Sequence, residues 1–107
     1  MAASKAYLSF ILDQLSDLDG ITYRAMMGEY ILYYRGRICA YLCDDRLFIK
    51  PVPAARALLP DASMEPPYPG AKEMLLAENV DDRDALQVLL NAIYPELPEP
   101  KPKRRRP

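Results

Sequence analysis

The sequence predicts an α+β domain in which an antiparallel sheet carries helices on one face. Residues 24–51 form a run rich in Tyr, Ile, Leu and Phe, which two turn signals, Arg35-Gly36 and Asp44-Asp45, divide into pieces of strand length. Helical patterns occupy both ends of the chain. The connections between the strands are too short for parallel crossovers, so the order helix, strands, helix, strand, helix indicates an antiparallel sheet of four to five strands.

The first helix is predicted over residues 4–18, because six apolar residues recur there at helical spacing. They are Tyr7, Leu8, Ile11, Leu12, Leu15 and Leu18. Ser4 is a suitable N-cap, and Asp19-Gly20 supplies a stop signal. An amphipathic helix of this kind needs a sheet or another helix against which to bury its apolar stripe.

Four strands are predicted next, over residues 21–27, 30–34, 37–43 and 46–50. Gly28-Glu29 marks a turn or bulge between the first two. Together these strands form a meander, since each follows the last after only a few residues.

After the fourth strand, Pro53 is well placed to open a short helix over residues 54–59. Residues 60–70 hold four prolines and a glycine, which predicts a loop without ladder hydrogen bonds. A fifth strand is predicted over 73–77. The last helix begins after a cap at Asp81 or Asp82 and ends at about Ile93.

The chain divides into a globular domain, residues 1–95, and a Pro-rich, basic tail, residues 96–107, which we expect to be disordered. The net charge of −1 hides this division. Residues 101–107 carry Lys101, Lys103, Arg104, Arg105 and Arg106, which leaves nine basic against 15 acidic groups in residues 1–100. By charge alone the tail is able to contact phosphates, although a solvated end is the simpler interpretation.

Composition excludes several classes of protein. There is no His, the commonest acid–base group at neutral pH and the commonest zinc ligand, so we expect no metal, no cofactor and no catalytic residue set. No apolar run is long enough to span a bilayer, and Asp13 interrupts the N-terminal run before a signal core forms. We therefore expect a cytoplasmic protein without a membrane partner.

The two faces of the sheet follow from the hairpins. With two-residue loops, Tyr34 lies opposite Arg37 and Cys43 opposite Arg46. Counting back from these pairs predicts a core face of Ile31, Tyr33, Ile38, Ala40, Leu42, Leu47 and Ile49. The opposite face then holds Tyr30, Leu32, Tyr34, Arg37, Cys39, Tyr41, Cys43, Arg46, Phe48 and Lys50.

The aromatic and basic members of that second face form a candidate interaction face. They are Tyr30, Tyr34, Arg37, Tyr41, Arg46, Phe48 and Lys50. Such a mixture suits the centre of a dimer interface or a surface that stacks bases and neutralises phosphates. Ordinary cross-strand packing, with the cations lying over the rings, explains it equally well. The pattern depends on register, because a shift of one residue moves every side chain to the other face.

The cysteines and carboxylates favour structural roles. Cys39 and Cys43 share one strand face about 13 Å apart, too far for an intrachain disulfide, so we expect two reduced thiols; a redox switch through intermolecular pairing is the alternative. Asp44-Asp45 suits a hairpin turn and Asp81-Asp82 a helix cap. Glu29 can pair with Arg24 or Arg46 in a small polar cluster, although a turn carboxylate in solvent is the simpler interpretation.

Several segments together resemble the TfoX N-terminal domain family. They are the Arg-x-Met-x-Gly element of residues 23–30, the turn of residues 33–37, the strand Asp44-Asp45-Arg46-Leu47-Phe48-Ile49-Lys50-Pro51, and Ala71-Lys72 with Val80-Asp81-Asp82-Arg83. The likeness covers about residues 5–95. Many members read Met-Phe-Gly-Gly where this chain has Met26-Met27-Gly28-Glu29, a departure that makes Glu29 a subgroup trait.

The family is named for a bacterial regulator of competence for DNA uptake, in which a second, helical domain follows. The resemblance implies a stand-alone TfoX-N-like protein with a secretion-chaperone-like α+β fold and no catalytic residues. We therefore expect a non-enzymatic bacterial domain that regulates or binds a protein partner, or forms a homodimer through the candidate interaction face or an edge strand. The alternatives are a nucleic-acid-binding accessory, using that face and the tail, and an enzyme or ligand-binding domain with a pocket near Arg24, Glu29 and the Pro-rich loop.

Overall fold

The computed structural model describes residues 4–26, 28–78 and 80–98. Its elements confirm the α+β class. Three helices, α1 (Lys5–Gln14), α2 (Pro53–Leu58) and α3 (Arg83–Ile93), accompany one sheet, and a 3₁₀ turn, Tyr94–Glu96, follows α3. Within the described residues no helix has the length and apolar character needed to cross a bilayer.

The sheet has six strands, more than the four to five predicted. In chain order they are β1 (Ile21–Met26), β2 (Glu29–Tyr34), β3 (Arg37–Cys43), β4 (Arg46–Ile49), β5 (Met64–Glu65) and β6 (Met74–Ala77), arranged in space as β1-β2-β3-β4-β6-β5. Every neighbouring pair is antiparallel. The element order therefore differs from the predicted one, because two strands rather than one lie between α2 and α3.

The additional strand, β5, lies in the segment predicted as a loop without ladder bonds. Met64 and Glu65 fall in the proline-free part of that segment, so their N–H groups are available, and they pair with Leu75 and Met74. That prediction was wrong because it treated the composition of the whole segment as uniform. β5 ends where Pro66 removes the next donor.

Both hairpins have the two-residue loops expected from sequence. Tyr34 pairs with Arg37 and Cys43 pairs with Arg46. Positive φ angles occur at Arg35 (52°) and Gly36 (85°) in the first loop, and at both aspartates of the second. Loops with two positive φ angles match the twist of the flanking strands, so local turn chemistry fixed these connections.

The first helix is shorter than predicted. It is capped by Ser4, whose hydroxyl oxygen accepts from the Tyr7 N–H at 3.1 Å, but it ends at Gln14. Residues 15–18 continue as tighter turns, in which the Leu18 N–H donates to the Leu15 carbonyl at 3.0 Å. Leu15 and Leu18 nevertheless still pack on the core, so the apolar stripe was predicted correctly.

All three helices cover one face of the sheet, here called the helix face. The main core joins them to alternate strand residues. Its sheet contribution is Leu32, Tyr34, Cys39, Ala40, Leu42, Leu47, Ile49, Leu75 and Ala77. The packed part of the chain reaches Leu97, which is buried in the same core beyond the expected boundary at residue 95.

The opposite face, here called the helix-free face, buries a smaller cluster. It is formed by Cys43, Phe48, Met74 and Leu76, with Tyr41 and Tyr68 partly buried against them. The segment between β5 and β6, which carries Tyr68, lies over part of this cluster. No helix of the described chain joins it.

A β-bulge between β2 and β3 decides which residues reach each face. Tyr33 pairs with Ile38, but Leu32 pairs with Ala40, so Cys39 is an extra residue on β3. Cys39 and its neighbour Ala40 consequently both belong to the helix-face core. An extra residue reverses the alternation of everything beyond it, because the side-chain period of a strand is two.

Candidate interaction surface

The bulge separates the seven residues of the candidate interaction face, so their assignment to one surface was wrong. Tyr30, Tyr34 and Arg37 lie on the helix face. Tyr41, Arg46, Phe48 and Lys50 lie on the helix-free face, as predicted. The exchange also moves three residues of the predicted core face, Ile31, Tyr33 and Ile38, to the helix-free face.

The three residues on the helix face are used inside the fold. The Tyr34 hydroxyl donates to Asn91 Oδ1 on α3 at 2.7 Å. The Arg37 guanidinium donates to the Tyr94 carbonyl at 3.1 Å and stacks over the Tyr94 ring at 4.6 Å from its centroid. Tyr30 packs edge-on against Tyr23, with ring centroids 5.8 Å apart. The contacts of Tyr34 and Arg37 fasten α3 and the 3₁₀ turn to the sheet, whereas that of Tyr30 joins β2 to β1.

On the helix-free face, Arg46 is already neutralised by acidic neighbours. Its guanidinium lies 3.2 Å from Glu65 Oε1 and 3.8 Å from Asp44 Oδ2. It also stacks over the ring of Phe48 at 5.2 Å, and that ring is completely buried. Half-exposed ion pairs of this kind contribute little to stability. Here they also engage the Arg46 guanidinium, which was expected from the sequence to contact a phosphate.

The remaining two predicted residues of this face, Tyr41 and Lys50, line a groove. We name it the Tyr41–Tyr68 groove; its volume is about 370 Å³. Its walls are Tyr41, Lys50, Pro51, Pro67, Tyr68, Ala71, Lys72, Glu73 and Met74. The groove thus lies between the end of β4 and the Pro-rich segment that precedes β6.

Two tyrosine rings dominate the groove. The centroids of Tyr41 and Tyr68 are 6.5 Å apart, with their planes tilted by 47°. Burial raises the pKa of Tyr41, as do the nearby Tyr68, Tyr33 and Glu29 groups, so its hydroxyl stays protonated at neutral pH. A neutral hydroxyl can both donate and accept a hydrogen bond there.

Two lysines supply the positive charge of the groove. Within the described part of the chain, neither Lys50 nor Lys72 forms an ion pair or a side-chain hydrogen bond. Glu73 is the one acid in the groove lining. The groove therefore combines aromatic walls with cations that no described carboxylate engages.

Sequence reasoning missed Tyr68 and Lys72. Tyr68 stands among three prolines in Pro66-Pro67-Tyr68-Pro69, and that context was the available signal. A tyrosine in a segment stiffened by proline loses little further entropy on binding, which makes such residues useful at interfaces. The segment closes with Gly70 at φ 87°.

The proposed polar cluster of Arg24 and Glu29 is not formed. Among the described residues, Glu29 has no ion pair with Arg24 or Arg46; it accepts a weak hydrogen bond from Cys43 Sγ at 3.6 Å. Neither Arg24 nor Glu29 lines the groove beside the Pro-rich segment. The expected pocket that combines these residues with that segment is therefore not this groove, and it stays a prediction.

The cysteines are reduced and both are buried. Burial raises the pKa of Cys39 to about 12. Burial, followed by the charge of Glu29, also raises the pKa of Cys43. Because the thiolate is the reactive form, neither side chain is suited to nucleophilic chemistry at neutral pH.

Two further expectations concern metal binding and the basic tail. In the part of the chain that the structure describes, no three His, Cys, Asp or Glu side chains are grouped so that they could hold a metal ion. The five basic residues of the tail, Lys101, Lys103, Arg104, Arg105 and Arg106, lie outside the described residues. The expected contact of the tail with phosphates therefore stays a prediction.

Comparison with known proteins assigns the sequence to a family. The model of the TfoX N-terminal domain matches residues 13–94. An uncharacterised 12.7 kDa protein in the trpE 5′ region of Spirochaeta aurantia is 34% identical over 105 residues, which is 97% of this chain and 91% of that protein. No solved structure matches the chain. The family match covers all six strands, α2 and α3, so this chain belongs to the TfoX N-terminal domain family.

Proposed function

We propose that this chain is a non-enzymatic regulatory domain that binds an extended segment of a partner protein in the Tyr41–Tyr68 groove. The observation that carries the proposal is the pairing, in one groove, of two tyrosine rings with two lysines that no described carboxylate engages. The family resemblance, to a regulator of competence, supports a regulatory role. We place the protein in the bacterial cytoplasm.

The shape of the groove favours a proline-containing ligand. Grooves lined by aromatic residues bind polyproline II segments, whose extended backbone is already ordered and therefore loses little entropy on binding. Tyr41 and Tyr68 form such walls, and Pro51 and Pro67 extend the apolar surface. The Tyr41 hydroxyl is available to donate to a peptide carbonyl.

The charge of the groove favours acidic residues beside the prolines. Lys50 and Lys72 lie among the lining residues, and a lysine acts as a flexible point charge rather than a bidentate clamp. We therefore propose that the ligand is an acidic, proline-containing segment. Its carboxylates would contact the two lysines as single charges, without the bidentate hydrogen bonds that an arginine forms.

Nucleic acid fits the described surface less well. Of the three cations assigned to it from sequence, Arg37 is bound to the 3₁₀ turn and Arg46 to Asp44 and Glu65. Only Lys50 remains for a phosphate, and Lys72 is the one basic residue that the groove adds. Nucleic acid is therefore an outcome to be tested, not a second proposal.

The test is a fluorescence-anisotropy titration with defined synthetic probes. The panel holds a labelled peptide of alternating Glu and Pro, the same peptide with Gly in place of Pro, its Lys-Pro counterpart, and single- and double-stranded DNA at two salt concentrations. We expect the Glu-Pro peptide to bind best. Equal binding of all the peptides, no peptide binding, or DNA binding that falls steeply with salt would contradict the proposal.

Matched variants locate the binding. Tyr68→Ala and Lys72→Glu should each weaken binding of the Glu-Pro peptide about tenfold, because one removes an aromatic wall and the other reverses a charge. Lys5→Glu makes the same charge change on the exposed surface of α1 and should leave the affinity within about twofold. Equal losses in Lys72→Glu and Lys5→Glu would mean that the groove is not the site.

A further inference from the structure

The two edges of the sheet differ in their capacity to bind another strand. β5, at one edge, has two residues and is followed by Pro66. β1, at the other, has six residues, no proline and no irregularity in its pairing with β2, and all of them except Ile21 are exposed. No other strand of the described chain lies outside β1, so its outer backbone groups are open to a further strand.

The hydrogen bonds of β1 show which residues face outward. The Arg35 N–H donates to the Gly20 carbonyl at 2.9 Å, so the backbone of Gly20 points toward β2. In an antiparallel strand this direction alternates, so Thr22, Arg24 and Met26 also point toward β2. Ile21, Tyr23 and Ala25 consequently present their N–H and C=O groups to the outside.

We propose that β1 pairs with β1 of a second copy of this chain, in antiparallel register about a two-fold axis at Tyr23. A two-fold axis perpendicular to a continuous sheet keeps the helix faces of both copies on one side of the sheet. A residue whose N–H and C=O groups point outward must then lie opposite another outward-pointing residue of the second copy. Centring the axis on Tyr23 matches residues 21–25 and pairs all three outward residues with outward residues.

Neighbouring registers are poorer. Centring on Arg24 places two arginines directly opposite each other, which is destabilising. Centring on Thr22 leaves only residues 21–23 of each strand matched. The register centred on Tyr23 instead sets Arg24 opposite Thr22, and Tyr33 follows Thr22 in the same row of side chains. The guanidinium of one copy is then within reach of an aromatic ring of the other.

The side chains beside β1 favour a second copy as the partner. An apolar groove of about 470 Å³ runs along β1 on the helix face, lined chiefly by Leu12, Leu15, Leu18, Ile21 and Tyr23. Tyr23 is 50% exposed and is held on that face by its edge-on contact with Tyr30. In the proposed register, Tyr23 of the second copy lies diagonal to Ile21, at the mouth of this groove.

This inference does not depend on the proposed function. The Tyr41–Tyr68 groove lies on the helix-free face toward the other end of the sheet, so pairing through β1 leaves it open. Peptide binding and self-association are measured separately, and either can fail alone.

Cysteine cross-linking tests the register. In the proposed dimer the two Tyr23 Cα atoms are about 5.5 Å apart, within disulfide range, whereas the two Thr22 and the two Arg24 positions are about 8 Å from their own copies. Mild oxidation should therefore link Tyr23→Cys into a covalent dimer and leave Thr22→Cys, Arg24→Cys and the wild-type chain monomeric on a denaturing gel. Linkage through Arg24→Cys, or none through Tyr23→Cys, would overturn the register.

Light scattering after gel filtration tests the dimer itself. The wild-type chain should dimerise with rising concentration, and Tyr23→Lys, which sets two charges against each other at the axis, should raise the dissociation constant by at least about tenfold. Val88→Lys, at a 57% exposed position on α3, should not change it. Circular dichroism checks that both variants fold. A wild-type monomer at every concentration, or equal effects of the two lysines, would refute the proposal.

Discussion

The two faces of the sheet bury apolar side chains by different means. On the helix face, α1, α2 and α3 form a second layer, and the polar groups of Tyr34 and Arg37 end on partners in α3 and the residues after it. On the helix-free face, the Phe48 side chain is also completely buried, but it is covered by Arg46 and by the Tyr68 segment instead of by helices.

This difference indicates where binding can occur. A layer of helices provides partners for the polar groups of the sheet beneath it, as for Tyr34 and Arg37. A covering of long side chains and one Pro-rich segment leaves the Tyr41–Tyr68 groove open and two lysines unengaged by described carboxylates. The burial of its side chains therefore does not show whether a sheet face can accept a ligand. What covers those side chains, a layer of helices or a single segment, is more informative.

The largest expected effect compares neighbouring residues on the two faces. Ile49→Ala should lower the free energy of unfolding by about 4 kcal/mol, because helices and sheet hold the cavity open. Phe48→Ala should cost about 3 kcal/mol despite the larger side chain, since Arg46 and Tyr41 can move into the space. Urea denaturation measures both. A cost for Phe48→Ala well above that for Ile49→Ala would mean that the covering is as rigid as the helices.

A second comparison uses the two cysteines, one on each face. The pKa of Cys39 is raised from 9.0 to about 12. Folding therefore favours its protonated form: the contribution to stability is complete below the unfolded pKa and declines as the pH rises toward the folded value. At about pH 10 the wild-type chain should have lost roughly 1.4 kcal/mol more than Cys39→Ala, relative to neutral pH.

Cys43→Ala is the control for that measurement. The pKa of Cys43 is also raised, but no second layer covers its face, so removing it should alter the pH dependence less. Denaturation at a series of pH values gives the slopes. Equal slopes for the wild-type chain and Cys39→Ala would show that the thiol is not desolvated by the helix-face core.

The smallest expected effect tests the bulge. Tyr34→Phe removes the hydroxyl that donates to Asn91 and should cost about 1 kcal/mol. Tyr33→Phe, one residue away on the helix-free face, should change stability by less than about 0.3 kcal/mol. Thermal or urea unfolding distinguishes them. The reverse order would indicate that β2 presents its other face to the helices.

Local signals in the sequence predicted much of this fold. The β3 boundaries, both two-residue hairpin loops and the Asp82 cap of α3, whose side chain accepts from the Ala85 N–H at 3.0 Å, agree with the structure. Each depends on residues within a few positions of one another. Periodicity likewise identified the core-facing stripe of α1.

The candidate site was predicted only in part. Tyr41 and Lys50 were assigned to the correct face, but Tyr30, Tyr34 and Arg37 were not, and Tyr68 and Lys72 were missed. The reason is that residues were assigned alternately to the two faces, starting from the turns. Such an assignment is correct only where the strands pair regularly. It fails at the first extra residue.

The sequence by itself therefore determined the family, the α+β class, the turns and the apolar stripes, because short-range chemistry specifies each of them. Only the tertiary structure decided the bulge at Cys39, the pairing of Met64 and Glu65 with β6, and the position of Tyr68 beside Tyr41. Cys39 and Ala40 are both small and apolar, so either face accepts them locally. The contacts of β2 and β3 with helices distant in sequence select the register that buries Leu32 and Tyr34.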